Sequence, residues 1–485
     1  MNKLLEQKKF NISKIILLLI FLLAVFLRAK VYFANSSLWL DECSLAVNIL
    51  HNKFFGLLEY RQSAPVGFLL LTKLATLILG ISEATLRFLP FLASILSVVG
   101  FYYLSSIFLK KNYSIVFANF LFAVNYYLIY YSQELKPYSS DVLVSILLLL
   151  FASKLNFQKI STKQLWTLGL VACAAFFVSF TSIFVSAGIF ILFLLKNPRE
   201  YKKLLALFGS FGLVLLGYYA FNVSGNMDYL SNYSLWQQGF ISLNFSNFLG
   251  VVVGNINYFF EPNKFVLFAL ILLISGIIVT FKESKENTLL LTFPILVLIV
   301  ASYLHIYPFQ QRIVLFLIPI LLLLISKPLD ICAFSKKTVS ILIIFLSSVY
   351  FLGYFSLPYY ASIGSKDFFK QTDARGLTME LSKMSHSEDI IVLAPSSSSP
   401  FEVYSKIYPV KYSQKFVGQM PKYDKQIFFN ALSELPRGKH YWFYIAHDVS
   451  HAPVRGFIEE WTNSECSKVK EYAKGQSYLI YAERN

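Results

Sequence analysis

The stretch Leu38-Trp39-Leu40-Asp41-Glu42 decides the fold, together with the apolar run just before it, Ile15 to Phe33. A run of that length is long enough to cross a bilayer as a helix. Adjacent carboxylates then follow at the membrane surface. Ionised groups are costly at that depth, so acids there are functional candidates by default. Asp41 and Glu42 are equally suited to capping the next helix, because acidic side chains favour helix N-termini. The stretch alone leaves both readings open.

The surrounding composition is that of a polytopic membrane protein. Of 485 residues, 56% are hydrophobic and only 14% charged, and the mean hydropathy is +0.57. The apolar residues come in blocks of bilayer length. The formal net charge of +16 raises the question of nucleic acid. The Lys/Arg residues argue against it, since many sit in short clusters between apolar runs, the pattern of positive-inside topology. The first run lacks a small-residue cleavage site and reads as a retained anchor.

Taken in order, Lys3, Lys8, Lys9 and Lys14 place the N-terminus in the cytoplasm. The pattern Leu45, Ile49, Leu50, Phe54, Leu57, Leu58 predicts an amphipathic helix lying on the membrane. The run from Pro65 to Leu79, interrupted by Lys73, predicts a second juxtamembrane helix. Spans are expected over 86–109, 114–131, 138–152, 165–195 (two short helices with a bend near Ser179 to Ser182), 204–221, 265–281, 289–304, 313–325 and 339–357. Asn222 to Asn263 reads as a long aromatic external loop whose middle dips into the interface. The total is about eleven transmembrane helices. The odd number and the Lys/Arg at every inward turn agree in leaving the C-terminal part outside.

After Pro358 the composition changes. Strand-like runs at Asp389–Ala394, Tyr441–Ala446 and Ser477–Tyr481 alternate with helical patterns at Asp367–Met384, Gln426–Leu435 and Val454–Trp461. These predict a small α/β extracytoplasmic domain over 358–485, about 120 residues, beside a mainly α transmembrane domain over 1–357. Pro395 and the serines after it read as a turn. The cysteines Cys43, Cys173, Cys332 and Cys466 show no metal spacing. A Cys43–Cys466 disulfide is conceivable, although nothing in the sequence brings those backbones together. Asn35, Asn222 and Asn232 match only the short glycosylation pattern. His447, Asp448 and His451 read as a polar loop after a strand.

Acids and bases gather on the outer side, where the positive-inside rule predicts few cations: Asp41, Glu42 and Glu134 with Arg61, Lys73, Arg87, Lys136 and Arg312. Snorkelling to head groups accounts for any one of these cations taken singly. Trp39-Leu40-Asp41-Glu42, Ala64-Pro65-Val66-Gly67-Phe68-Leu69-Leu70-Leu71-Thr72-Lys73, Ser82-Glu83-Ala84-Thr85-Leu86-Arg87-Phe88-Leu89-Pro90 and Tyr131-Ser132-Gln133-Glu134-Leu135-Lys136-Pro137-Tyr138 form an ordered set. This set resembles the C-type integral-membrane glycosyltransferases, the group of protein O-mannosyltransferases and lipid A aminoarabinose transferases. The resemblance covers the first 200 or so residues. Gln311-Arg312 before Pro319 is similar to a late motif of that family. Val66 stands where a second proline is usual, and Cys43 where many relatives have a small residue or a tyrosine nearby.

The resemblance implies a hexosyl or pentosyl transferase using a polyprenyl-phosphate sugar donor on the outer face of the inner or plasma membrane. The acceptor is a protein, lipid or glycan hydroxyl. It implies that Asp41, or failing that Glu42, is the catalytic base. The physics agrees: a positioned carboxylate takes the acceptor proton, and a phosphate leaving group asks for cations rather than an acid. Lys136, Arg87, Arg312, Lys73 and Arg61 are the expected phosphate ligands, with arginine suited to bidentate contact. Direct displacement predicts inversion. Glu134, Tyr138, Trp39 and His305 are candidate sugar contacts, and turn capping or an interfacial aromatic belt accounts for them as well. No cofactor is required; a divalent metal on the paired acids is conceivable. The rival readings are a lipid-linked saccharide transporter or flippase, which would carry charges near the midplane and internal repeats, and a non-catalytic membrane scaffold.

Overall fold

The computed structural model describes residues 12–58, 64–158, 161–218, 220, 237–259, 266–331, 372–417, 425–446, 454–474 and 477–484. The expected last span, 339–357, lies outside these, as do Arg61, Trp236, Cys332, His447, Asp448 and His451.

The protein is a mostly helical, membrane-spanning chain carrying a small C-terminal sheet. Among the described residues five helices are long and apolar enough to cross a membrane: Ser13–Ala34, Phe88–Phe108, Pro198–Tyr218, Lys285–Tyr303 and Gln311–Ile331. Asn112–Val124 and Tyr126–Gln133 make a further pair bent by 53°. Shorter apolar helices are Val66–Leu79, Tyr138–Ala152, Thr162–Val178 and Ser182–Lys196. The region expected to be interrupted near Ser179 breaks between Val178 and Ser182. The expected interfacial dip of the long loop is a helix, Phe245–Phe259. The span expected over 313–325 opens as a 3-10 turn, Gln311–Leu317, before Ile318–Ser326 continues as α-helix with a proline in its first turn.

Two compact units divide the chain. The first gathers Met1–Phe33, Phe55–Thr72 and Arg87–Ala361; the second gathers Ala34–Phe54, Lys73–Leu86 and Ser362–Asn485. The acidic segment thus belongs to the same unit as the C-terminal sheet, although more than three hundred positions of sequence separate them.

The first unit is held by helix packing and by buried polar bolts. Lys327 donates to the Phe108 carbonyl at 2.8 Å and to Asp330 at 3.0 Å, and lies 2.9 Å from Glu283. Asp330 also accepts the backbone N–H groups of Lys110 and Lys111, both at 3.0 Å. Lys327, expected at an inward turn, is therefore tied into place by a buried ion pair.

In the second unit, β1 (Ile390–Leu393), β2 (Gln414–Val417), β3 (His440–Ile445), β4 (Cys466–Lys474) and β5 (Ser477–Arg484) form one sheet in the order β2-β1-β3-β5-β4. β1 runs parallel to β2 and β3, and β5 antiparallel to β3 and β4. The parallel pairs need crossovers, and helices Ser398–Ile407 and Lys425–Ser433 lie in those connections. Alternate residues face opposite sides of a strand. Tyr441, Phe443 and Ile445 join Ile480, Val454, Ile458 and Trp461 in one core. Tyr444 points the other way: its hydroxyl meets Thr378 at 2.8 Å, and its ring lies edge-on to Phe401 at 5.4 Å. Cys43 and Cys466 are free thiols, which corrects the disulfide conceived from sequence; the buried Cys43 Sγ instead lies 3.6 Å from the Leu38 carbonyl.

Candidate active site

In the second unit, helix Leu40–His51 begins directly on the acidic pair, with Trp39 as its N-cap. Glu42 is 1% exposed, and its Oε2 accepts the Trp39 N–H at 3.2 Å. This is half of a capping box; the indole has no acceptor with which to return the bond. The paired carboxylates are therefore not equivalent. Glu42 secures the helix start, while Asp41 is only half-buried on the first turn. Cys43, Leu45, Ala46 and Ile49 form the buried face. At the other end, Lys73 donates its ammonium to the Ile49 carbonyl at 2.7 Å. A cation on the unpaired carbonyls of a last helical turn is accounted for by capping alone.

The chain entering this helix is fixed by a buried network. Tyr404, on helix Ser398–Ile407, donates its hydroxyl to Glu83 Oε1 at 3.0 Å and accepts the Leu38 N–H at 2.7 Å. Ser37 Oγ lies 3.2 Å from the same hydroxyl. The single phenolic proton is directed at Glu83, so Ser37 is the donor in that contact. Ser37 Oγ in turn accepts the Arg375 N–H at 3.2 Å, and the Arg375 guanidinium reaches Glu83 Oε1 at 3.2 Å. Burial, and next the charge of Glu83, push the Tyr404 phenol well above its usual range, so it stays protonated as a donor. Glu83 stood in the sequence only as part of the family-like motif. Tyr404 and Arg375 carried no local signal, because their partners lie hundreds of residues away.

In the first unit, the segment Tyr126–Tyr138 is shaped by its own turns. Asn125 caps the short helix Tyr126–Tyr130 by accepting the Leu128 N–H at 3.1 Å, and donates to the Phe259 carbonyl at 3.0 Å. The Lys136 N–H bonds the Glu134 carbonyl at 2.6 Å, a tight turn. Pro137 then caps Tyr138–Ala152. The turn carries Glu134, buried at 5% exposure, and the partly buried Lys136 and Tyr138. Tyr131 sits at the centre. Its hydroxyl meets Tyr258 at 3.0 Å, the Tyr138 ring lies edge-on at 4.9 Å, Arg312 hydrogen-bonds it and Glu134 acts on it by charge. Tyr127 stacks on Tyr258 at 3.7 Å. The structure therefore brings together Glu134, Tyr138 and Arg312 of the sequence candidates around an aromatic cluster that the sequence did not single out.

Arg87 precedes Phe88–Phe108 as its N-cap, is 2% exposed and acts by charge on the Tyr32 phenol. His305 occupies the left-handed region at φ 57, with its ring stacked 4.8 Å from Phe240 and Nδ1 3.1 Å from the Tyr303 carbonyl. Asp141, absent from the sequence candidates, is buried one turn into Tyr138–Ala152 and neighbours Ser179 and Thr181 at the helix break. No group of three or more His, Cys, Asp or Glu side chains suited to a metal ion occurs among the described residues.

No protein-family model and no curated protein matches the sequence. Solved structures do match. ArnT from Cupriavidus metallidurans bound to undecaprenyl phosphate aligns with a TM-score of 0.62 at 11% identity, over 96% of this chain and 97% of that one. The apo state of the same protein aligns with a TM-score of 0.55 at 10% identity, over 95% and 97%. The archaeal oligosaccharyltransferase AglB from Archaeoglobus fulgidus, in complex with an inhibitory peptide and a dolichol-phosphate, aligns with a TM-score of 0.48 at 10% identity, over 96% of this chain and 74% of that one. The chain thus shares the ArnT fold along nearly its whole length.

Proposed function

We propose that this protein is a membrane glycosyltransferase that moves a hexosyl or pentosyl group from a polyprenyl-phosphate carrier to an acceptor hydroxyl at the outer face of the cell's inner or plasma membrane, with inversion. The carrying observation is the fold match over nearly all of both chains to ArnT bound to undecaprenyl phosphate. The ordered motifs around Asp41, Glu83 and Glu134 support it from the sequence. The Lys/Arg clusters support a cytoplasmic N-terminus and an outward-facing C-terminal unit.

Asp41 is the base. It takes the proton of the acceptor hydroxyl as that oxygen bonds to the anomeric carbon. The bond from that carbon to the phosphate oxygen breaks, and its electron pair leaves on the polyprenyl phosphate. A positioned base contributes roughly 10²–10⁴ in rate. The half-buried Asp41 suits this role better than Glu42, which is 1% exposed. Polyprenyl phosphate is an anion before and after the reaction, so it asks for fixed cations. Arg312, Lys136 and Arg87 are assigned to it, arginine for its forked contact. Glu134 and Tyr138, beside Arg312 around Tyr131, are assigned to sugar hydroxyls.

Mass spectrometry of surface glycans and lipids from cells with and without the protein tests the reading. A glycan or lipid species lacking one sugar is expected in its absence, and an unchanged profile contradicts it. Purified full-length protein is expected to bind undecaprenyl phosphate, and the Arg87→Ala, Arg312→Ala double variant to bind it at least tenfold more weakly.

A further inference from the structure

We propose that the C-terminal unit positions the acidic helix, with Tyr404 the residue that sets the entry of Asp41. This rests on Asp41 being the base. Tyr404 is fully buried and its single hydroxyl serves Leu38, Ser37 and Glu83 together. Leu38 is three positions before Asp41. Its N–H is held by Tyr404 at 2.7 Å, its carbonyl receives the Cys43 thiol at 3.6 Å, and Cys43 N–H bonds the Trp39 carbonyl at 2.9 Å. The segment carrying Asp41 is therefore pinned on both sides.

Apolar burial of Leu45, Ala46 and Ile49 holds the helix in the unit, but apolar contact is non-directional and does not fix the path of the entering chain. Directional bonds do. Arg375 adds a further hold on Ser37 through its N–H and on Glu83 through its guanidinium. Helix Ser398–Ile407 thus does more than cover the sheet. Through it, the C-terminal unit aims the catalytic carboxylate.

Tyr404→Phe keeps the ring and removes the hydroxyl; Ser37→Ala removes one arm of the network with little volume change. Each full-length variant is compared with Asp41→Asn for the surface species lost on deletion, for undecaprenyl phosphate binding and for hydrogen exchange over residues 37–43. Misplacement of a reacting group by about 1 Å costs as much as 10²-fold. Tyr404→Phe is expected to lower product formation about tenfold or more, to bind undecaprenyl phosphate within twofold of the parent, and to exchange faster over 37–43. Ser37→Ala is expected to do the same more weakly. Wild-type product from Tyr404→Phe beside an inactive Asp41→Asn overturns the positioning role alone. An active Asp41→Asn overturns the base assignment and this inference with it. Product, binding and folding lost together in both network variants overturns it in favour of a purely structural network.

Discussion

Replacing Arg28 with Met tests how the first span is built. Arg28 is fully buried. It donates to Ser94 Oγ at 2.7 Å, to the Ala123 carbonyl at 3.0 Å and to the Phe122 carbonyl at 3.3 Å. Those carbonyls end helix Asn112–Val124, which stops because Asn125 adopts an extended backbone. The last carbonyls of a helix have no partner of their own, and in an apolar interior each one left unmade costs about 1–3 kcal/mol. Two such groups give about 2–6 kcal/mol. Removing the guanidinium also removes its own desolvation cost, which places the expected loss in the lower half, about 2–4 kcal/mol. Arg28→Lys, keeping the charge but not the fork, is expected to fall between. Denaturant unfolding of the full-length protein in detergent measures both. A Met variant as stable as the parent would refute the reasoning, and would mean that the helix break does not need the cation.

Further predictions concern packing and polar ties. A Cβ on Gly276 would overlap the Leu324 carbonyl oxygen, so Gly276→Ala is expected to push Val266–Glu283 off Ile318–Ser326 and lower the thermal midpoint, at a cost of at least about 1–3 kcal/mol. Lys327→Met leaves Asp330 without its buried cation and is expected to cost about 3–5 kcal/mol in the same unfolding assay. Trp442→Phe removes the 2.9 Å bond from the indole N–H to the buried Asp389, an expected loss of about 1.5–3 kcal/mol.

The apolar segments were legible because bilayer length is a blunt requirement: the runs from Ile15 to Ile325 all carry helices, and the polar Ser179–Thr181 insertion marked its break. Most of the sheet was legible from short apolar runs. The edge strands were missed. Gln414–Val417 is exposed throughout, and Cys466–Lys474 carries three lysines and a glutamate, charges that suit a protected edge. The turn expected at Pro395 and its serines spans Pro395–Ser397 and leads straight into helix Ser398–Ile407, whose Pro400 falls in the first turn, where no backbone donor is needed. The grouping of Ala34–Phe54 with the C-terminal unit had no sequence signature, because it rests on contacts between residues hundreds of positions apart, such as the hydrogen bond from Leu38 N–H to Tyr404. The sequence ranked Asp41 ahead of Glu42 only through the family resemblance; the Trp39 N–H on Glu42 adds a physical reason that only the structure supplies.

The most direct measurement compares sugar transfer by Asp41→Asn and Glu42→Gln in membranes, both at parental expression. In Glu42→Gln the amide oxygen can still accept the Trp39 N–H, whereas in Asp41→Asn the amide cannot take a proton. The account predicts that Asp41→Asn loses roughly 10²–10⁴ of the rate while Glu42→Gln stays within a few-fold of the parent. Near-normal transfer by Asp41→Asn, whatever Glu42→Gln does, would contradict it.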